Sequence, residues 1–198
     1  MPKAFAWFQL VGVLVTLTGC FNEPTPAYKT VPPEARVYLS GKGLTSLDSL
    51  TFSNCVDYVN LDRNELVSVD GIEKVTNLKW LRLNDNRLSA LPDLKNLTSL
   101  RRIYLRGNRF AVVPETLKDL PSLTDIDMSE NPITEVPKWL AEKRGLKNLS
   151  FSQTRLKKLP EDLSAWRDLQ SLQLGELGFS FQEMTRIRRA LPNVRIVF

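Results

Sequence analysis

The chain of 198 residues is 25% charged and 42% hydrophobic, ordinary values for a folded domain with one core. It has no histidine, which removes the commonest general base, the usual catalytic triads and the most frequent metal ligand. Two cysteines cannot build a disulfide framework or supply zinc with its usual ligands, and the formal charge is only +5.

Residues 1–19 read as a secretory leader. Lys3 supplies a thin positive start, residues 4–16 are uncharged and mostly apolar, and Thr18 and Gly19 place small residues just before Cys20. The apolar run is short of the ~20 residues that a spanning helix needs. The stretch LTGC at 17–20 resembles the bacterial lipobox. That resemblance implies a diacylglyceryl group on the Cys20 sulfur, cleavage just before it, and a palmitate-bearing first residue in the mature chain. An ordinary leader, or an uncleaved anchor, would carry the cysteine only incidentally. With Cys20 acylated, Cys55 is expected to be a lone thiol filling a small core space. Loss of Lys3 leaves 26 basic and 22 acidic residues, a balance of +4, too mild to argue for nucleic acid. In lipoproteins the residue after the lipid cysteine influences sorting, and Phe21 is not the aspartate linked to inner-membrane retention. The expectation is a bacterial cell-envelope protein, lipid-anchored, with the outer membrane favoured.

Residues 20–33 form a tether. The stretch FNEPTPAYKTVPP holds four prolines in thirteen residues and no apolar period. Such a segment extends ~40 Å at ~3.1 Å per residue.

Residues 34–198 repeat. The segments VNLDRNEL, LRLNDNRL, IYLRGNRF, IDMSENPI, LSFSQTRL and LQLGELGF align on Leu61, Leu83, Leu105, Met128, Phe151 and Leu174, spaced by 22, 22, 23, 23 and 23. Val37 and Leu39 open the series, and Val194 and Ile196 are read as closing it, giving about eight units. The pattern L-x-x-L-x-L-x-x-N-x-L resembles the leucine-rich repeat. The fold class implied is α/β: a curved right-handed solenoid with a parallel concave sheet and short helical turns on the convex side. Alternation such as Leu81-x-Leu83 makes a short strand with one apolar face. No unit can bury its own core, so stacking is obligatory. Asn64, Asn86, Asn108 and Asn131 fall in one column after the strands, and a buried amide must find partners. In leucine-rich repeats these are backbone groups of adjacent turns, forming a ladder. Lys42, Thr154 and Leu177 depart from the column, so the ladder should weaken toward both ends.

Pro92, Pro114, Pro137 and Pro160 share a slot on the return path, where proline favours a helical first turn. The unit containing SVDGIEKV lacks it. A capping helix is expected over about 181–190, with Ser180 and Glu183 at capping-box spacing and Phe181, Met184, Ile187 and Leu191 on one face. Arg186, Arg188 and Arg189 read as a solvated run near its C-terminal end.

The variable strand positions form two concave columns. One runs Tyr58, Trp80, Arg102, Asp125, Asn148, Ser171, Asn193. The other runs Asn60, Arg82, Tyr104, Asp127, Ser150, Gln173, Arg195. Neighbours lie ~4.8 Å apart in a parallel sheet, so cation–π contacts between Trp80 and Arg102, and between Arg82 and Tyr104, become possible. Trp, Tyr and Arg dominate binding hot spots, and Tyr58, Trp80, Arg82, Arg102, Tyr104 and Arg106, followed by Asp125 and Asp127, are the candidate partner site. Asp125 and Asp127 could form a carboxylate pair, yet arginines adjoin them and a regular solenoid implies no pocket. The stretch SGKGLTS at 40–46 lacks the ending of a phosphate loop. The reading is a membrane-anchored, non-enzymatic binding module with a protein partner, no metal and no organic cofactor. A periplasmic assembly factor of the envelope, or a glycan-binding surface receptor, are the other readings. No separate catalytic domain is expected, the last strand falling at the end of the sequence.

Overall fold

The computed structural model describes residues 36–53 and 55–198. The leader, Cys20 and the tether lie outside the described residues.

Eight three-residue strands form one parallel sheet in sequential order: β1 (Arg36–Tyr38), β2 (Tyr58–Asn60), β3 (Trp80–Arg82), β4 (Arg102–Tyr104), β5 (Asp125–Asp127), β6 (Asn148–Ser150), β7 (Ser171–Gln173) and β8 (Arg195–Val197). Strands β1 to β7 bury their middle residue and, except for Asp125 in β5, turn the first and third outward, because successive strand side chains alternate faces; in β8 the middle residue Ile196 is half-buried. Val59, Leu81, Ile103 and Leu172 are fully buried, as are Leu61, Leu83, Leu105, Met128 and Phe151 one step further along. Removing one such side chain from water contributes ~1.5–3 kcal/mol. These residues belong to one continuous core from Val37 to Val194.

The asparagine ladder is present and continuous. Leu61 O accepts from Asn64 Nδ2 (2.8 Å) and Asn86 Nδ2 (3.0 Å). Leu83 O likewise joins Asn86 (3.1 Å) and Asn108 (2.9 Å), and Leu105 O joins Asn108 (3.0 Å) and Asn131 (2.9 Å). Each amide oxygen accepts from the preceding unit, as Asn108 Oδ1 does from Leu88 N at 3.0 Å. At the next rung Thr154 reaches only Phe151 O, at 2.8 Å. The residue just before each rung has a left-handed backbone: Arg63 (φ 56), Asp85 (φ 54), Gly107 (φ 66), Glu130 (φ 54) and Gln153 (φ 55).

The return paths differ from expectation. Pro114 and Pro137 cap a 3₁₀ turn (Glu115–Leu117) and α1 (Lys138–Glu142) directly. After Pro160 the 3₁₀ turn starts only at Ser164, and after Pro92 the chain returns through turns with no helical segment. The proline-free unit does form a 3₁₀ turn (Ile72–Lys74), capped by Gly71 at φ 98. Proline favours an extended residue before a helical turn, but the helix must still be stabilised by apolar residues facing the core.

The last unit carries two corrections. The ten-residue helix α2 (Phe181–Ala190) lengthens the return, and β7 pairs Ser171 with Arg195 and Gln173 with Val197. Arg195 therefore belongs to the first column and Val197 ends the second, and Asn193 lies outside the strand. On α2, Ile187 and Leu191 are buried but Phe181 is 78% exposed, so the apolar face begins one turn later than expected. The capping bond forms, with Glu183 N donating to Ser180 Oγ at 3.1 Å. Arg188 and Arg189 are exposed as expected, but Arg186 is half-buried: it donates to Glu183 at 2.8 Å and to the carbonyls of Leu159, Pro160 and Glu161. Cys55 is half-buried and disulfide-bonded rather than a lone thiol, and its partner lies outside the described residues. Among the described residues no helix is long and apolar enough to cross a membrane.

Candidate functional site

The register places the predicted columns side by side. Tyr58 pairs with Trp80, Trp80 with Arg102, Arg82 with Tyr104, Arg102 with Asp125 and Tyr104 with Asp127. Three-residue strands locked by parallel hydrogen bonds fix these neighbours without help from the side chains.

A row of rings opens the concave face. Tyr38 and Tyr58 lie 5.3 Å apart between centroids, and Tyr58 meets Trp80 edge-on at 5.8 Å. The Arg102 guanidinium then covers the Trp80 ring at 4.4 Å. In the other column Arg82 sits 5.4 Å from the Tyr104 ring. Both cation–π contacts anticipated from the sequence are therefore present. Tyr38 was missed, although the alternation that turns Val37 and Leu39 inward turns Tyr38 outward. It is 61% exposed and Trp80 is 38% exposed, so this is the face's uncovered aromatic end.

Each arginine of the patch has an acid. Arg82 donates to Asp62 at 2.7 Å, Arg106 to Glu130 at 2.7 Å, and Arg102 lies 3.8 Å from Asp125. Burial disfavours the charged form of Arg82, but the hydrogen bond and the charge of Asp62 prevail and raise its pKa. The bond to Glu130 likewise raises Arg106. The pairs hold the guanidiniums in place, and they leave the patch nearly neutral.

Asp125 and Asp127 do not act as a pair. Asp125 is buried, accepting from Thr124 Oγ1 (2.6 Å) and Asn148 Nδ2 (2.6 Å). Asp127 is half-buried and bonds Ser129. Asp125 is thus a support beneath Arg102 rather than a contact residue.

Sequence reading also missed a second polar column, two residues before the asparagines. Asp62 Oδ1 accepts from Asn84 N at 2.8 Å, Asn84 Oδ1 from Arg106 N at 3.0 Å, and Ser152 Oγ from Gly175 N at 3.1 Å. Its members are Asp62, Asn84, Arg106, Ser129, Ser152 and Gly175 in turn, so no single letter betrays it. It ties the arginine end of the face to the ladder, since Asp62 holds both Asn84 and Arg82. Among the described residues no group of three or more acidic or cysteine side chains could hold a metal ion.

The leucine-rich-repeat family model matches residues 76–133. Among solved structures, internalin C2 of Listeria monocytogenes is 21% identical with a TM-score of 0.70, covering 82% of this chain and 70% of its own. The internalin InlF of the same bacterium is 19% identical with a TM-score of 0.58, covering 79% of this chain and 54% of its own. A leucine-rich-repeat protein of Leptospira interrogans is 23% identical with a TM-score of 0.48, covering 75% of this chain and 57% of its own. The chain thus spans little more than half the length of two of these three. No curated protein matches. At these identities the likeness concerns the fold.

Proposed function

The fold being a leucine-rich-repeat solenoid, we propose that this chain is a non-enzymatic, membrane-anchored module that binds a protein through its concave sheet. The observation that supports this reading is the stacked row Tyr38, Tyr58, Trp80 and Arg102 on one sheet face, with Tyr38 and Trp80 exposed. Aromatic and arginine side chains fixed in place lose little entropy on binding, which is what hot-spot residues require. Eight strands span roughly 34 Å at the parallel-strand spacing, room for a standard interface of ~800 Å² per partner.

The membrane link rests on Cys20 and the lipobox resemblance, with the chain held at the bacterial outer membrane by acyl groups and the tether. A sulfur in a disulfide cannot also carry a thioether, so the lipid and the disulfide at Cys55 compete if Cys20 is the partner. Mass spectrometry of the mature N-terminal peptide decides: an acyl mass supports the anchor, and a peptide that shifts only with reductant removes it.

Capture from envelope extract tests the binding reading. The parent 34–198 fragment should retain a protein that a Trp80→Ala/Arg102→Ala variant of unchanged melting temperature releases, with at least a tenfold loss of affinity, about 1.4 kcal/mol. A variant that still captures every ligand of the parent would remove the proposal.

A further inference from the structure

The second half of the concave face differs from the first in what it leaves unused. A shallow depression of about 370 Å³ is lined by Tyr104, Asp127, Asn148, Ser150, Ser171 and Gln173. Each of its amides commits one N–H internally: Asn148 Nδ2 to Asp125 Oδ1 (2.6 Å) and Gln173 Nε2 to Ser171 Oγ (2.7 Å). The Asn148 orientation is forced, because only its NH₂ end can donate to a carboxylate. The carbonyl ends, Asn148 Oδ1 and Gln173 Oε1, accept no hydrogen bond among the described residues.

Asp127 adds the charge. Asp62, Asp125 and Glu130 each have an arginine within 4.0 Å, whereas Asp127 has no basic side chain within that distance among the described residues. Its Oδ1 accepts from the Ser129 N–H (3.0 Å) and hydroxyl, and Oδ2 accepts no bond among the described residues. Arg106 feels its field, but that guanidinium is engaged by Glu130. A half-buried carboxylate with an idle oxygen, beside idle amide carbonyls and a tyrosine wall, is complementary to a donor-only cation.

We infer that this depression is a pocket for a basic side chain of the bound partner, an arginine before a lysine. The planar guanidinium offers five donors in a fixed fork, enough to serve Asp127, Asn148 and Gln173 together, whereas an ammonium offers three from one point. The pocket deepens the binding reading and depends on it: the aromatic row supplies contact area, and the pocket fixes which residue of the partner lies two strands further on.

The test is NMR titration of the full-length ¹⁵N-labelled chain, in a non-ionic micelle where it is acylated. The probes are N-acetylarginine amide, its lysine counterpart, N-acetylcitrulline amide and a methyl hexoside. The arginine probe should give saturable shifts at Tyr104, Asp127, Ser150 and Gln173, weaker with lysine and reduced at least tenfold with citrulline. Asp127→Asn and, as a second variant, Gln173→Leu should each reduce the affinity, while Glu161→Gln leaves it unchanged. Absence of saturable shifts, equal binding of citrulline, binding unchanged in Asp127→Asn, or a preference for the hexoside would each overturn the inference. A partner lost by Trp80→Ala/Arg102→Ala yet held by Asp127→Asn sinks the pocket and leaves the binding face standing.

Discussion

Asn108 shows how one side chain can serve two coils. Its amide donates to Leu83 O of the coil before and Leu105 O of its own, and its oxygen accepts from Leu88 N. Asn108→Ala leaves the Leu88 N–H without its partner in a buried turn, while Leu83 O and Leu105 O keep Asn86 and Asn131. One unsatisfied buried group costs ~1–3 kcal/mol, so urea unfolding should show a loss of about 2–3 kcal/mol. The reverse change belongs at Thr154, where the hydroxyl reaches only Phe151 O. Thr154→Asn should extend the ladder by one rung and stabilise by about 1 kcal/mol, the net worth of a typical hydrogen bond. A neutral Thr154→Asn would mean that the rung is not limiting there. The ladder was legible because only an asparagine meets both coils with that geometry, so the letter recurs. The column of Asp62, Asn84 and Ser152 was not, because it needs any short acceptor. The burial of Asp125 was hidden too, since it depends on Thr124 and Asn148 from different coils.

At the scale of elements, the strands were readable and the returns were not. A strand here is three residues set by one inward apolar side chain, and the 22- to 23-residue period places it. The return path is free to be 3₁₀, α or turn, so long as it delivers the same apolar residues to the core. Hence Pro92 and Gly71 went against expectation, and a ten-residue helix moved β8 by two positions. That helix is held by a charge-assisted cluster. Glu183 accepts from Leu159 N (2.9 Å) and from Arg186, which in turn holds three carbonyls of the preceding coil. The Arg186 hydrogen bond, against some loss of solvation, keeps the Glu183 carboxyl below its ordinary value of 4.5. A carboxyl whose folded pKa lies below its unfolded one stabilises above the unfolded value and loses that contribution as pH falls through the folded one. The parent should therefore be more stable than Glu183→Gln above about pH 5 by a constant margin, and the margin should narrow below pH 4.5. Paired urea titrations at pH 7, 4 and 3 measure it. A margin that does not change with pH would assign the effect of Glu183 to packing alone.

Across the whole molecule, every strand pairs only with its sequence neighbours, and the core is a line rather than a centre. Stability in such a stack is close to a sum over coils and the contacts between them. This makes the period itself testable. Deleting residues 84–105 removes 22 positions and joins Leu83 to Arg106, restoring the run Leu81, Leu83, Asn108, Phe110 in one coil. Trp80 then pairs beside Asp125, so the ring row loses its Arg102 cap while the core stays continuous. That variant should fold with parallel-sheet circular dichroism and a cooperative transition. It should have a smaller dependence on urea, in proportion to the surface no longer buried. Deleting only residues 84–94, half a period, sends each downstream apolar residue to the wrong side of its coil, and no cooperative transition is expected. A single-centred core would tolerate neither deletion. Equal collapse of both variants would therefore contradict the one-dimensional stack, and with it the rigid face on which Tyr38, Trp80 and Asp127 are held in order.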